Sequence, residues 1–149
     1  MCSSDLECGV HVSRVVQRVE QSAPAGRLRM HGEALAALEL RSGGQLVVLE
    51  VGPEQFVRHG LVGADTEGLV DRPRSIEGVE AAVFFEELPE NKVRVSARSK
   101  IPAIDVCKVC KQFKGGGHPM AAGARVPGSL QQVKHDFLKA LDHEIRNRN

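Results

Sequence analysis

Two adjacent segments of strand-like sequence, residues 79–88 and 92–99, constrain the fold of this chain more than any other feature. In the second segment, Arg94, Ser96 and Arg98 alternate with apolar residues, and this period of two is typical of a strand whose faces meet different surroundings. A proline and an asparagine in the short connection favour a turn. The pattern therefore predicts an antiparallel hairpin with one polar, basic face.

Helix patterns lie on both sides of this hairpin. Segments with apolar residues at i, i+3, i+4 and i+7, or with many strong helix formers, predict helices over residues 12–19, 28–40, 106–113 and 130–145. Asp105 is placed to cap the third of these, and the apolar run at residues 46–49 predicts a buried central strand. The expected fold class is α/β, a single domain with a mixed β-sheet flanked by helices and preceded by a leftover helix and linker.

The composition bounds the size and the partners of this domain. With 149 residues, 42% of them hydrophobic, the chain is long enough for one compact domain with its own core. The net charge of +1 excludes a strongly basic nucleic-acid binder, but residues 92–114 hold seven basic residues and one acidic residue. The chain has five Phe and no Trp or Tyr. This composition argues against a binding surface on which bases stack on aromatic side chains. A local patch that recognises phosphate is favoured.

Neither a membrane-spanning segment nor a secretory signal is visible in the sequence. The four cysteines show no disulfide framework, which is typical of reduced thiols in a reducing compartment. Cys107 and Cys110 share a helix face, but a second pair with zinc-ligand spacing is missing, so free thiols are expected. We expect a cytoplasmic protein with no membrane association.

The string Gly115-Gly116-Gly117-His118 is the most unusual motif in the chain, because three adjacent glycines lose much backbone entropy on folding. Two interpretations are open. In the first, backbone N–H groups without neighbouring Cβ atoms converge on an anion, and His118 adds a directional donor. In the second, the glycines form a flexible loop between two elements, which an isolated glycine run would favour.

Residues on both sides of the glycine run carry a family resemblance. They are Val-Ser-Ala-Arg-Ser at 95–99, Asp-Val at 105–106, Phe113, Ala-Ala-Gly at 121–123, Asp-Thr-Glu-Gly-Leu-Val at 65–70 and Pro-Arg-Ser-Ile-Glu-Gly-Val-Glu at 73–80. In this order they resemble the DHH-associated domain at the C-terminal end of DHH-family phosphoesterases. The resemblance spans roughly residues 11–145 and points most to the bifunctional oligoribonuclease and 3'-phosphoadenosine 5'-phosphate phosphatase group.

By this resemblance, the domain closes over a cleft against a metal-bearing domain and holds the phosphate groups of the substrate. The residues at the matching positions are Arg98, Gly115, Gly116, Gly117 and His118. The family pattern usually has four glycines before the histidine, whereas this chain has Lys114 in place of the first. The chemistry supports these roles, since arginine can fork onto a phosphate and histidine can donate to an oxygen that bears developing charge.

The resemblance also implies that the complete enzyme hydrolyses short oligoribonucleotides and 3'-phosphoadenosine 5'-phosphate by attack of metal-activated water. Manganese is expected in the missing catalytic domain, bound by clustered Asp and His. The nearest look-alike here, Asp142-His143-Glu144, lies on a predicted helix, where successive side chains fan out onto a solvated face. We therefore expect no catalytic and no metal-binding residue in this chain, which alone should bind weakly and catalyse nothing.

The resemblance divides the chain into three parts. Residues 1–10 are an unrelated leader, residues 11–26 are the last helix and linker of a missing N-terminal DHH domain, and residues 27–149 are the DHH-associated substrate-binding domain. The string Cys2-Ser3-Ser4-Asp5-Leu6 can be encoded by TGC TCT TCC GAT CT, which looks like the end of a sequencing adaptor. The hypothesis is a truncated open reading frame with an artefactual leader.

Two other functions stay open at this point. A non-catalytic RNA-binding module, such as the tail domain of alanyl-tRNA synthetases, also carries a Gly-rich loop, and a preference for transfer RNA over short RNA would identify it. A structural domain would instead self-associate through the apolar face of the helix predicted at residues 12–19. An oligomer is therefore an open alternative.

Overall fold

The computed structural model describes residues 23–62 and 66–147, which form six strands and four α-helices. The helices are α1 (Ala25–Ala36), α2 (Pro53–His59), α3 (Val106–Gln112) and α4 (Leu130–Arg146). The strands are β1 (Glu39–Arg41), β2 (Leu46–Val51), β3 (Ala81–Leu88), β4 (Lys92–Ser99), β5 (Gly116–His118) and β6 (Ala121–Pro127), and short 3₁₀ helices lie at Ser42–Gly44 and Leu69–Ser75. No helix in this described part is long and apolar enough to cross a bilayer. The leader and the helix predicted at residues 12–19 lie outside it.

The strand order is β1-β2-β3-β4-β6-β5, with β2 parallel to β3 and all other neighbours antiparallel. The sheet is therefore mixed, and the predicted α/β class is confirmed. The predicted hairpin is formed by β3 and β4, with Leu88 opposite Lys92. In the turn between the two strands, Asn91 has a positive φ of 53° and Glu90 has a positive φ of 62°. The predicted buried strand is β2, which lies inside the sheet.

One face of the sheet packs against α3 and α4. Phe85 of β3 is fully buried on this face and meets Phe137 of α4 edge-on, with ring centroids 5.8 Å apart. Phe113, which follows α3, lies 5.0 Å from the same ring. Asp105 and Ser129 cap the first turns of α3 and α4 by accepting backbone N–H groups. The cap predicted at Asp105 is confirmed, and the two helices cover the core residues of β2, β3, β4 and β6 on this face.

The opposite face is covered only over the middle of the sheet. Helix α1 and the 3₁₀ helix Leu69–Ser75 pack there, and Met30, Val47 and Phe84 are among the buried residues. This second core contains no residue of β4, β5 or β6. On this side those three strands present polar and small residues, and we call the surface they form the open face.

Helix α1 differs from its prediction at both ends. It begins at Ala25, inside the segment predicted as a linker, and a Cβ at Gly26 would lie 2.2 Å from the carbonyl oxygen of His59. It ends at Ala36, because Glu39–Arg41 pairs with β2 as an edge strand. A helix as far as residue 40 is therefore wrong, since pairing with a distant strand overrides local helix propensity.

Candidate functional site

Arg98 and His118 lie in one row of the open face. Arg98 of β4 is opposite Ala121 of β6, and Ala121 is opposite His118 of β5. Cross-strand partners project from the same side of a sheet, and two strand spacings separate the two backbones by about 10 Å. The structure thus places the predicted arginine and histidine on one surface.

Arg98 is partly buried and already has partners. Its Nε lies 3.3 Å from Oδ1 of Asp71, in the 3₁₀ helix Leu69–Ser75, and its Nη1 donates to the carbonyl oxygen of Ala97 at 3.1 Å. Nη1 of Arg74 donates to the same Oδ1 at 3.2 Å. Asp71 therefore bridges two arginines at the border of the open face. A phosphate at Arg98 has to share the guanidinium with this carboxylate or displace it.

His118 is exposed at the end of β5, and the turn that follows it is held on two sides. The N–H of Val106 in α3 donates to the carbonyl oxygen of Pro119 at 2.8 Å. The N–H of Ser99, at the end of β4, donates to the carbonyl oxygen of Met120 at 2.9 Å. These bonds join the turn to the strand end that carries Arg98, so the backbone of His118 has a fixed position.

Gly116 and Gly117 of the glycine run lie in strand β5, so the interpretation of the run as a flexible loop is wrong. Gly116 pairs with Gly123 of β6. A Cβ on Gly115 would lie 2.2 Å from the carbonyl oxygen of Gly123, and a Cβ on Gly117 would lie 2.6 Å from that of Ala121. Glycine is needed at these two positions because β6 approaches the backbone too closely for a side chain. A Cβ on Gly116 would meet nothing within 4 Å, so this position faces open space.

Lys114, which replaces the first glycine of the family pattern, has a φ of 59°. The cause is the end of α3, where the N–H of Lys114 donates to Lys111 and the N–H of Gly115 donates to Cys110. Such a helix end needs a left-handed residue, usually glycine. A residue with a Cβ is strained there by about 1–2 kcal/mol.

Both cysteines of α3 are buried free thiols, as expected. The Sγ of Cys107 donates to the carbonyl oxygen of Gly117 at 3.2 Å, so α3 supports β5 from the side opposite to the open face. Burial raises the pKa of the Cys110 thiol to about 11. At neutral pH Cys110 is therefore a protonated core residue and a poor nucleophile or metal ligand.

The sequence did not reveal two features of the open face. Glu86 of β3 is buried and forms an ion pair with Arg94, and Thr66 hydrogen-bonds to both. Arg94, predicted to lie on the polar face, is thus engaged within the fold. Arg125 of β6 lies opposite Arg94 and is exposed. In the sequence, the only indication that Arg125 projects from a strand face was its position between the apolar residues Ala124 and Val126.

Among residues 23–62 and 66–147, no three His, Cys, Asp or Glu side chains are grouped so that they could hold a metal ion. The look-alike string on α4 is dispersed, because Asp142 accepts from Ser42 at 2.5 Å and Glu144 accepts from Lys108 at 2.8 Å. The Glu144 side chain is only 12% exposed, so its prediction on a solvated face is wrong. The described part of the chain does not fit the manganese that the resemblance implies.

Comparison with protein families decides which family this surface belongs to. The DHHA1 domain model matches residues 43–147, more than half of the chain. The chain belongs to the DHHA1 domain family. The match includes β2 to α4, and therefore Arg98, the glycine run and His118.

Two curated relatives are similar to part of this DHHA1 domain. The bifunctional oligoribonuclease and PAP phosphatase NrnA of Bacillus subtilis is 36% identical over 69 residues, which are 46% of this chain and 21% of that protein. The probable bifunctional oligoribonuclease and PAP phosphatase NrnA of Streptococcus mutans is 37% identical over 67 residues, which are 45% of this chain and 21% of that protein. The chain matches only about a fifth of the length of each relative.

Two solved structures share the fold of the DHHA1 domain. An exopolyphosphatase-related protein from Bacteroides fragilis has a TM-score of 0.82 at 24% identity, covering 93% of this chain and 40% of that one. The pGpG-specific phosphodiesterase PggH from Vibrio cholerae has a TM-score of 0.58 at 10% identity, covering 83% of this chain and 40% of that one. In each case, the similarity spans less than half of the larger protein.

Proposed function

We propose that this DHHA1 domain binds the phosphate groups of short oligoribonucleotides and of nucleotides such as 3'-phosphoadenosine 5'-phosphate. The observation that carries the proposal is the position of Arg98 and His118 in one row of the open face. The names of the two curated relatives support the substrate class, since oligoribonucleotides and PAP both present phosphate esters. In the proposal, the domain holds the substrate while a metal-bearing DHH domain hydrolyses it.

Each proposed contact contributes something different. Arg98 offers a planar fork of N–H donors that matches two phosphate oxygens, and His118 offers a single directional donor. Gly115, Gly116 and Gly117 leave the stretch before His118 without side chains, so a ligand reaches the backbone at this end of the sheet. Because all five residues lie on or beside paired strands, little reordering is needed when a phosphate binds.

Catalysis is proposed to reside outside the described residues, with manganese supplied by the DHH domain for activation of water. The contribution of the DHHA1 domain is then to orient the phosphate and to stabilise its charge. The free, buried thiols of Cys107 and Cys110 support a cytoplasmic location.

A fluorescence titration tests the proposal. A labelled RNA dinucleotide with a 5'-phosphate is titrated with the full chain at low and high salt, beside Arg98→Ala and His118→Ala. A hydrogen bond to a charged group contributes about 1.5–3 kcal/mol, so each variant is expected to bind about tenfold more weakly or worse. Salt is expected to weaken binding by the wild-type chain.

Lys139→Ala is the matched control. Lys139 is exposed on α4, which packs on the other side of the sheet, so its loss removes one positive charge without touching the open face. The proposal is wrong if the wild-type chain does not bind, or if the control loses as much affinity as Arg98→Ala. Manganese-dependent cleavage measured in parallel is expected to be absent, and turnover would locate catalytic groups in this chain.

The same titration, with transfer RNA added, tests one alternative, and sedimentation tests the other. Tighter binding of transfer RNA than of the dinucleotide would favour a tail-domain role, as in alanyl-tRNA synthetases. The self-association alternative depends on residues 12–19, which lie outside the described residues. Sedimentation of a variant with Val12, Val16 and Val19 replaced by Ser tests it, and an unchanged mass would reject it.

A further inference from the structure

Arg125 is the basic residue of the open face whose charge is unmatched. Along β4, the other basic side chains of this face each have a carboxylate partner: Lys92 pairs with Glu90, Arg94 with Glu86 and Arg98 with Asp71. Within the described residues, no ion pair of Arg125 is present. Its side chain is exposed on the same surface. The positive charge available to an anion is therefore concentrated at Arg125.

Arg125 borders a shallow depression on the open face, and the proposed phosphate site lies beyond the Ser96 and Gly123 end of that depression. On β6, Arg125 lies four positions after Ala121, which lies between Arg98 and His118. At about 3.3 Å per residue this is a distance of about 13 Å. A depression of about 290 Å³ borders Arg94, Ser96, Gly115, Gly123 and Arg125.

The surface between Arg125 and the proposed phosphate site carries almost no side chains. The row that crosses it consists of Ser96, Gly123 and Gly116, one from each strand. A Cβ added at Gly116 would meet nothing within 4 Å, which shows that the space above this row is open. The β5 end of the row therefore leaves room for a ligand above the backbone.

We infer that Arg125 is a second phosphate contact, which binds an internal phosphate of a single-stranded oligoribonucleotide whose terminal phosphate lies at Arg98 and His118. The inference rests on the proposed function of those two residues. Phosphates of one strand recur about every 3.4 Å of stacked axis, so about 13 Å corresponds to roughly four stacked nucleotides, and fewer when the chain is extended. Arg125 thus makes the domain prefer oligonucleotides over dinucleotides and mononucleotides.

The length dependence of binding tests this inference. A 5'-phosphorylated RNA dinucleotide and a 5'-phosphorylated pentanucleotide are titrated with the wild-type chain, Arg125→Ala, Arg125→Lys and the Lys139→Ala control. Arg125→Ala is expected to weaken pentanucleotide binding about five- to tenfold and dinucleotide binding less than about twofold. Loss of one contact to a single strand lowers the slope of log affinity against log salt by about 0.7. Arg125→Lys should keep most of that slope.

Two outcomes would overturn the inference. In the first, Arg125→Ala weakens both RNAs equally, or neither. In the second, Lys139→Ala weakens the pentanucleotide as much as Arg125→Ala does, which means that only net charge matters. Arg98→Ala distinguishes failure of the proposed function from failure of the second contact. If Arg98→Ala weakens binding of both RNAs while Arg125→Ala weakens binding of neither, only the second contact at Arg125 is refuted. If Arg98→Ala has no effect on either RNA, the proposed function itself fails.

Discussion

The Nε atom of Arg98 lies 3.3 Å from Oδ1 of Asp71. The Asp71 side chain is 46% exposed and also holds Arg74, so a ligand on the open face meets this carboxylate from the solvent side. The proposed phosphate contact is therefore partly neutralised before a substrate arrives. A carboxylate beside a bound phosphate repels it, and the ion pair has to be shared or broken.

We expect Asp71→Asn to strengthen binding of the 5'-phosphorylated dinucleotide about two- to fivefold, since exposed ion pairs of this kind contribute about 0.2–1 kcal/mol. Asparagine keeps the size and one acceptor oxygen, so Arg98 stays in place. Asp136→Asn makes the same change of charge on the exposed side of α4 and should leave the affinity unchanged. Weaker binding by Asp71→Asn would mean that the carboxylate positions Arg98 for the ligand.

Neighbouring glycines are expected to respond differently to alanine. Gly115→Ala forces a Cβ to within 2.2 Å of the Gly123 carbonyl oxygen, and overpacking of this kind destabilises by about 1–3 kcal/mol. Gly116→Ala places its Cβ in open space, and the free energy of unfolding should change by less than about 0.5 kcal/mol. Urea denaturation measures both values, and equal midpoints would contradict the close approach of β5 to β6.

Lys114→Gly should stabilise the domain. The strain of a left-handed lysine, about 1–2 kcal/mol, is relieved, and the greater freedom of glycine in the unfolded chain offsets about 0.4–1 kcal/mol of that gain. The net expectation is a rise of about 0.5–1 kcal/mol in the free energy of unfolding. Lys111→Gly, within α3, is the control and should lose about 1 kcal/mol. A loss in both variants would refute the strain at Lys114.

The stability of the domain should fall as the pH rises from about 9 towards 11. Burial raises the pKa of Cys110 from 9.0 to about 11, so above pH 9 the unfolded chain releases a proton that the folded chain retains. The contribution of the Cys110 thiol to the free energy of unfolding is thus fully present below pH 9. It is lost as the pH rises through the pKa of the folded state. Unfolding measured at pH 8, 9 and 10 should show a shallower decline in Cys110→Ala than in wild type, and identical slopes would count against the assignment.

The range up to pH 10 isolates the cysteine from the nearby lysines. The pKa of Lys108 is raised above 10.5 by its hydrogen bond to Glu144. Burial alone would lower the pKa of Lys134, but its hydrogen bonds to Glu39 and Glu50 prevail and raise it. Both ion pairs therefore persist below pH 10, and their loss contributes only at higher pH.

Local patterns predicted the hairpin of β3 and β4 and the cap at Asp105, because alternation, turn residues and capping residues act over a few neighbours. They failed for β1 and β5. Each of these strands has three residues and exists only through pairing with a distant segment. A glycine run has no side-chain pattern to read, so the sequence did not predict the strand that the tertiary structure has at Gly116–His118.

By itself, the sequence determined the α/β class, the hairpin with its basic face and the identities of Arg98 and His118 as candidate phosphate contacts, because these depend on periodicity and motif. Only the tertiary structure decided that both residues share one open surface, that Asp71 restrains Arg98 and that Arg125 is left unmatched. The physical reason is that these relations join β4, β5, β6 and the Leu69–Ser75 helix. Their proximity is set by sheet register and packing, which no local stretch of sequence encodes.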